Sequence, residues 1–92
     1  MKAIFNNVVV AESDDTVVLE GDHYFPEAAL KREYTSFSNH RTSDWRGQAR
    51  YLSLLVNGEL KTDAIWYYEA PNEAAAQLKG RVAFARGVQI LE

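Results

Sequence analysis

Short apolar runs separated by polar turn residues recur along this chain and predict a mainly β structure. Near the start, Lys2–Phe5 and Val8–Ala11 flank Asn6-Asn7, a pair that tolerates the positive φ angles of a type I′ hairpin turn. A polar turn at Glu12–Asp15 leads into a third predicted strand, Thr16–Glu20, which a glycine ends. The pattern therefore begins as a series of short antiparallel strands.

The middle of the chain is predicted to change from a helical turn to a polar loop. Pro26 followed by Glu-Ala-Ala-Leu favours a short helical turn through about Arg32, because proline is well suited to the first helical position. The segment Glu33–Phe37 alternates and is predicted to be extended. The polar run Ser38–Gly47 has the length and composition of a mobile or functional loop.

The clearest hairpin signal is Asn57-Gly58, the preferred type I′ pair, which joins predicted strands at Arg50–Val56 and Glu59–Tyr68. Asn72 is then predicted to cap a short helix over Glu73–Lys79. Two final strands follow, Arg81–Ala85 and Val88–Leu91. We therefore expect one β domain over residues 1–92, α+β at most, with small antiparallel tent-like sheets or an open barrel and one or two short helices.

Composition narrows the classes of partner and compartment. The chain has 92 residues, of which 47% are hydrophobic, and its net charge is −3, whereas nucleic-acid binders usually carry a basic excess. It contains no cysteine, which excludes disulfides and cysteine-ligated metal sites. No apolar run resembles a signal peptide or reaches transmembrane length. We expect a soluble cytoplasmic protein with no nucleic-acid or membrane partner.

Metal and nucleophilic chemistry have little support in the sequence. His23 and His40 are the only histidines, and they lie in separate segments without the spacing of a ligand set. Several serines are available, but no Gly-x-Ser-x-Gly elbow is present. The sequence therefore predicts no metal and no cofactor.

Three consecutive aromatic residues, Trp66-Tyr67-Tyr68, stand near the end of the second strand of the Asn-Gly hairpin. Because side chains alternate along a strand, Trp66 and Tyr68 share one face and Tyr67 takes the other. We expect Trp66 and Tyr68 to fill the core, and Tyr67 to face solvent or a partner.

Basic and aromatic residues between positions 41 and 50 suggest anion binding. Arg41, Arg46 and Arg50 surround Trp45, and arginine forks match the oxygens of carboxylates and phosphates. Lys79 and Arg81 bracket a glycine in a second basic segment. The alternative is that the arginines pair with nearby acids such as Asp44, Asp63 and Glu69.

Four segments, in this order and spacing, resemble the bacterial and fungal family catalogued as domain of unknown function 427. They are His23–Pro26, Thr42–Gly47, Asp63–Tyr68 and Lys79–Phe84. The resemblance implies a compact, mainly antiparallel β domain of the open, tent-like type, with no established activity. The family carries a nucleotidyltransferase-like heading, but Asp14-Asp15 lacks the Gly-Ser start and spaced aspartates of such enzymes.

One departure from the family pattern bears on chemistry. Many relatives carry a Cys-Pro pair before the aromatic-basic-Gly step, where this chain has Ser43-Asp44. Any family activity that needs this thiol is therefore lost here.

We expect a domain that binds a small polar or anionic ligand in a groove lined by aromatic and arginine side chains. The predicted ligand-binding residues are Tyr24, Arg41, Trp45, Arg46, Trp66 and Tyr67. A first alternative is an enzyme with His23 as acid or base and an arginine as anion clamp. A second is a protein-interaction module that self-associates, giving a homodimer.

Overall fold

A computed structural model describes residues 1–92 and contains nine strands and three short 3₁₀ segments. Strand residues make up 59% of the chain and helical residues 13%, so the mainly β prediction is confirmed. No helix has both the length and the apolar character needed to span a bilayer. The strands are β1 (Lys2–Phe5), β2 (Val8–Glu12), β3 (Val17–Leu19), β4 (Asp22–Pro26), β5 (Thr35–Asp44), β6 (Gly47–Val56), β7 (Glu59–Tyr67), β8 (Arg81–Phe84) and β9 (Gln89–Leu91). The 3₁₀ segments are Glu27–Ala29, Arg32–Tyr34 and Glu73–Leu78.

The strands form two open antiparallel sheets and no closed barrel. A three-stranded sheet has the order β2-β1-β9, and a six-stranded sheet has the order β3-β4-β8-β7-β6-β5. The main core joins them, because buried side chains of β1 and β2, such as Phe5 and Val10, pack with Phe25, Ile65 and Phe84 of the larger sheet. We call the face of the six-stranded sheet that carries this core the inner face.

A second, smaller core lies on the outer face of the six-stranded sheet. Tyr24, Tyr68 and Ala83 are buried there against Ala75 and Leu78 of the Glu73–Leu78 segment. Alanines let this short segment approach the sheet closely. The larger sheet is therefore buried on both faces near its centre.

Both asparagine turns predicted from the sequence are confirmed. Asn6 and Asn7 have φ angles of 50° and 64°, and they join β1 to β2. Asn57 and Gly58 have φ angles of 49° and 81°, and they join β6 to β7. These left-handed conformations are those that a type I′ turn requires.

The predicted polar loop at Ser38–Gly47 is wrong. Residues up to Asp44 continue β5, which pairs with β6 from Thr35 opposite Leu54 to Asp44 opposite Gly47. Strand β5 is at the edge of the sheet, and most of its side chains are exposed on both faces. Such a strand needs no apolar alternation, so its polar composition imitates a loop.

The helical predictions are wrong in detail. The turn expected from Pro26 to about Arg32 is two 3₁₀ segments interrupted by Leu30, which is buried and forms a β-bridge with Ala11. The expected helix at Glu73 is a 3₁₀ segment as well. The Asn72 side chain does not cap it but donates to the Trp45 carbonyl at 2.7 Å.

Candidate functional site

Tyr24, Arg46 and Trp66 of the predicted site meet in one hydrogen-bonded group on the outer face. The Tyr24 side chain is fully buried on β4, and its hydroxyl accepts from Arg46 Nη1 at 3.0 Å and from Trp66 Nε1 at 3.2 Å. The rings of Tyr24 and Trp66 meet edge to face with centroids 6.3 Å apart. Two residues outside the prediction, Asp44 and Tyr68, complete what we call the Tyr24 cluster.

The Arg46 guanidinium is the centre of the Tyr24 cluster. Its Nη2 donates to Asp44 Oδ2 at 2.6 Å, and its Nε lies 3.2–3.3 Å from both carboxylate oxygens. Its Cζ stands 5.3 Å from the centroid of the Tyr68 ring, within cation–π distance. The Tyr68 hydroxyl donates to Asp44 Oδ2 at 3.3 Å. Each of the three guanidinium nitrogens thus has an acceptor within the protein.

The pKa values in the cluster follow from this packing. The hydrogen bonds from Arg46 hold the pKa of the Asp44 carboxyl below its ordinary value. The same pairing raises the pKa of Arg46. Burial raises the pKa of both Tyr24 and Tyr68. All four groups therefore keep their usual charge state at neutral pH, as expected of a structural network.

The turn between β5 and β6 is tied to its surroundings by its backbone and by Trp45. The Trp45 ring is 48% exposed, and its Nε1 donates to Glu20 of the β3–β4 turn at 2.8 Å. The Asn72 backbone N–H donates to the Arg46 carbonyl at 2.8 Å. At Gly47, whose φ is 127°, a Cβ would lie 3.2 Å from the Ala70 carbonyl oxygen. This close approach favours glycine at that position.

A cleft of about 430 Å³ lies at the adjoining ends of β7 and β8, and Tyr68 of the Tyr24 cluster contributes to its lining. Tyr67 lines it, which places this predicted residue apart from Tyr24, Arg46 and Trp66. Its volume lies in the range of small-molecule sites. We call it the Tyr67 cleft; its lining is Glu27, Arg32, Leu52, Tyr67–Glu69 and Lys79–Val82.

Basic side chains outnumber acidic ones around the Tyr67 cleft, where Arg32, Lys79 and Arg81 face two glutamates. Both glutamates are already in ion pairs, Glu27 with Arg32 and Glu69 with Arg50 on β6. Lys79 is exposed and has no carboxylate within 4 Å. The lining therefore holds a cation without an internal partner.

Arg41 lies on the edge strand β5, directly opposite Arg50 of β6. It is exposed, and its Nη1 donates only to the adjacent His40 carbonyl, at 3.3 Å. Because Arg50 is in turn opposite Tyr67, Arg41 belongs to the Tyr67 side of the sheet and not to the Tyr24 cluster.

His23 belongs neither to the Tyr24 cluster nor to the lining of the Tyr67 cleft. It lies on β4 opposite Val18, and its Nδ1 is buried without a hydrogen-bond partner. It does not line the Tyr67 cleft, and no hydrogen bond joins it to Arg41 or Arg46. No three His, Cys, Asp or Glu side chains are arranged to hold a metal ion.

Trp66 and Tyr67 lie on opposite faces of β7 as predicted, but the single groove predicted to hold both side chains is not present. The alternation expected from the strand is confirmed: Trp66 packs against the outer core and Tyr67 against the main core. Lys79 and Arg81 form a basic segment that is visible in the sequence. The segment lies next to Tyr67 because β8 pairs with β7, and no local sequence pattern predicts that pairing. Arg32 gave no signal in the sequence, because its position depends on the short 3₁₀ turns.

The family model described as "Domain of unknown function (DUF427)" matches residues 1–91. No curated protein matches the chain.

Proposed function

The chain belongs to the family described as domain of unknown function DUF427, and because that description assigns no activity, we propose a function from the cleft: the domain binds a small anionic ligand there. The supporting observation is the unpaired Lys79 ammonium at the rim of a cavity with a tyrosine wall. Ligand sites commonly combine apolar walls with a few polar groups that fix orientation.

The charges of the cleft favour an anion over a cation or a neutral ligand. Each glutamate of the lining is occupied by an arginine, so neither is free to receive a cation. Lys79 is free, whereas Arg81 is held by the Asp15 carboxylate, 3.1 Å from its Nη2, and by the backbone carbonyls of Asp15 and Tyr24. The chain as a whole is acidic, so this local basic excess runs against its composition.

Tyr67 and Val82 supply the apolar part of the cleft. They are direct cross-strand partners on β7 and β8, and both pack against the main core. Because strands of a sheet hold these side chains, their positions depend little on loop conformation. The ring of Tyr67 offers a flat apolar surface to the uncharged part of a ligand.

The proposal is preferred over the two alternatives because each of them needs an arrangement that these contacts do not supply. An enzyme with His23 as acid or base needs an arginine within its reach, and no hydrogen bond joins His23 to Arg41 or Arg46. Self-association through an exposed strand edge has β5 as its longest candidate, and the register of β5 is interrupted between Phe37 and Arg41. Irregularity of this kind opposes edge-to-edge pairing.

The proposal is tested by NMR titration of the protein with inorganic phosphate and with acetate, each compared with chloride at equal ionic strength. We expect saturable shifts of the backbone amides at Tyr67–Glu69 and Lys79–Val82 with at least one of the two anions. Lys79→Gln should weaken that binding about tenfold, because a hydrogen bond to a charged group is lost.

Lys2→Gln is the matched control, since it removes the same charge from the three-stranded sheet. It should leave the binding constant unchanged. Shifts that are equal in chloride, or a Lys79→Gln constant equal to that of Lys2→Gln, would refute the proposal.

A further inference from the structure

A row of side chains crosses four strands on the inner face of the six-stranded sheet and ends in the Tyr67 cleft. Arg41 of β5 is paired with Arg50 of β6, Arg50 with Tyr67 of β7, and Tyr67 with Val82 of β8. Direct cross-strand partners point to the same face of a sheet. Arg41 therefore stands at the open end of a row that continues into the cleft.

The orientation of this row is supported by its neighbours on the opposite face. Thr42 Oγ1 and Tyr51 Oη are 2.9 Å apart, and Tyr51 packs against the outer core. Because successive side chains of a strand alternate, Arg41 and Arg50, each adjacent in sequence to one of these residues, project to the inner face.

Two arginines directly opposite each other repel, and such pairs destabilise a sheet unless an anion compensates them. Glu69 compensates Arg50, with 2.9 Å between Arg50 Nη1 and Glu69 Oε1. Nothing compensates Arg41, which has no carboxylate within 4 Å. The structure thus holds a second unpaired cation besides Lys79, on the inner face of the sheet.

We infer that Arg41 forms a second anion subsite, so that the ligand of the cleft is an elongated small molecule with an anionic group at each end. One group binds at Lys79, and the other binds the Arg41 guanidinium. Neighbouring strands are about 4.8 Å apart, so two strands separate the Arg41 and Tyr67 backbones by about 10 Å. The middle of the ligand lies along Arg50 and the Tyr67 ring.

This inference rests on the proposed function, since it adds a second contact to a ligand already held in the cleft. A molecule that engages both subsites gains from the second contact without a second loss of translational freedom, and its affinity exceeds that of either half. The arginine fork suits both phosphate and carboxylate, so the chemistry shared by the candidates is two separated anionic groups.

Isothermal titration calorimetry with two pairs of probes tests the inference. Tripolyphosphate is compared with inorganic phosphate, and nonanedioate, a linear dicarboxylate, is compared with acetate. We expect the longer probe of at least one pair to bind about tenfold or more tighter than the shorter one. The pair that shows this advantage tells whether the site takes phosphates or carboxylates.

Arg41→Gln should abolish the advantage of the longer probe and leave the binding of the shorter probe unchanged. Arg86→Gln is the matched control, because Arg86 is exposed in the β8–β9 turn and also lacks a carboxylate partner. It should preserve the advantage. Three results overturn the inference. The longer probe binds no tighter than the shorter one in the unmodified protein, its tighter binding survives Arg41→Gln, or its tighter binding is lost equally in Arg86→Gln.

Lys79→Gln separates failure of the inference from failure of the proposed function. If Lys79→Gln weakens the shorter probe while Arg41→Gln leaves the advantage intact, the second subsite is refuted and the cleft stands. If Lys79→Gln changes neither probe, the cleft itself is refuted, and the inference with it.

Discussion

Replacing Tyr24 with phenylalanine tests whether the Tyr24 cluster stabilises the fold. The change removes one fully buried oxygen and keeps the ring and its edge-to-face contact with Trp66. Arg46 Nη1 and Trp66 Nε1 both lose their acceptor. The mutation therefore leaves two donors without a protein partner and creates almost no cavity.

The magnitude follows from those two donors. A buried donor left unsatisfied costs about 1–3 kcal/mol, and a charged one costs more. Both donors are relieved in part, because Trp66 is only half-buried and the rest of the Arg46 guanidinium still binds Asp44. We therefore expect the free energy of unfolding to fall by about 2–3 kcal/mol. In a domain of this length that corresponds to a fall in Tm of about 10–20 °C.

Urea unfolding followed by tryptophan fluorescence measures this loss. Tyr67→Phe is the matched control, because it removes the same oxygen from a tyrosine that makes no side-chain hydrogen bond and lines the cleft. It should change the free energy of unfolding by less than about 0.5 kcal/mol. If Tyr24→Phe costs no more than Tyr67→Phe, the hydrogen bonds of the cluster do not stabilise the fold and the reasoning is wrong.

Three further predictions concern the turn, the core and acid stability. Gly47→Ala should destabilise the protein by at least about 1 kcal/mol more than Gly58→Ala, because only the Gly47 Cβ would meet neighbouring backbone; equal losses in chemical denaturation would contradict this. Leu54→Ala should cost about 2–5 kcal/mol and Leu55→Ala less than about 1 kcal/mol, since Leu54 is buried and Leu55 is 48% exposed; Tm values by calorimetry check the contrast. The contribution of the ionised Asp44 carboxylate to the free energy of unfolding is complete above the ordinary aspartate pKa of 3.8 and is lost as pH falls through the lowered pKa of the folded state. Below about pH 4, Asp44→Asn should therefore lose less stability with falling pH than the unmodified protein does in urea unfolding. If the free energy of unfolding falls equally steeply with pH in both proteins, the prediction is wrong.

Local signals carried most of the fold that could be predicted from sequence. The asparagine turns were predictable because positive φ angles select few residue types, and both turns have those angles. The strand at Thr35–Asp44 was not predictable from its pattern, because its side chains are exposed and nothing selects apolar residues there. The missed 3₁₀ break at Leu30 has the opposite cause, since a tertiary contact with Ala11 overrides a local helical preference.

The candidate site was predictable residue by residue but not as an arrangement. Alternation separated Tyr67 from Trp66, and that is a local property of a strand. What Tyr67 meets depends on β8 entering the sheet beside β7, a pairing that brings Val82 and the basic segment at Lys79 to its side. No periodicity within either segment encodes that pairing. The sequence therefore indicated the chemistry of the cleft without its location.

Hydrogen-bond satisfaction distinguishes the two polar groups of the sheet better than residue type does. Arg46 belongs to one of the four segments that carry the family resemblance, yet Asp44 and Tyr24 occupy its guanidinium. Arg41 and Lys79 attract less notice in the sequence, but neither cation has a carboxylate partner. An anion gains more from a free cation than from one that must first leave a carboxylate, and for this reason we place ligand binding at Tyr67 and assign the Tyr24 cluster to stability.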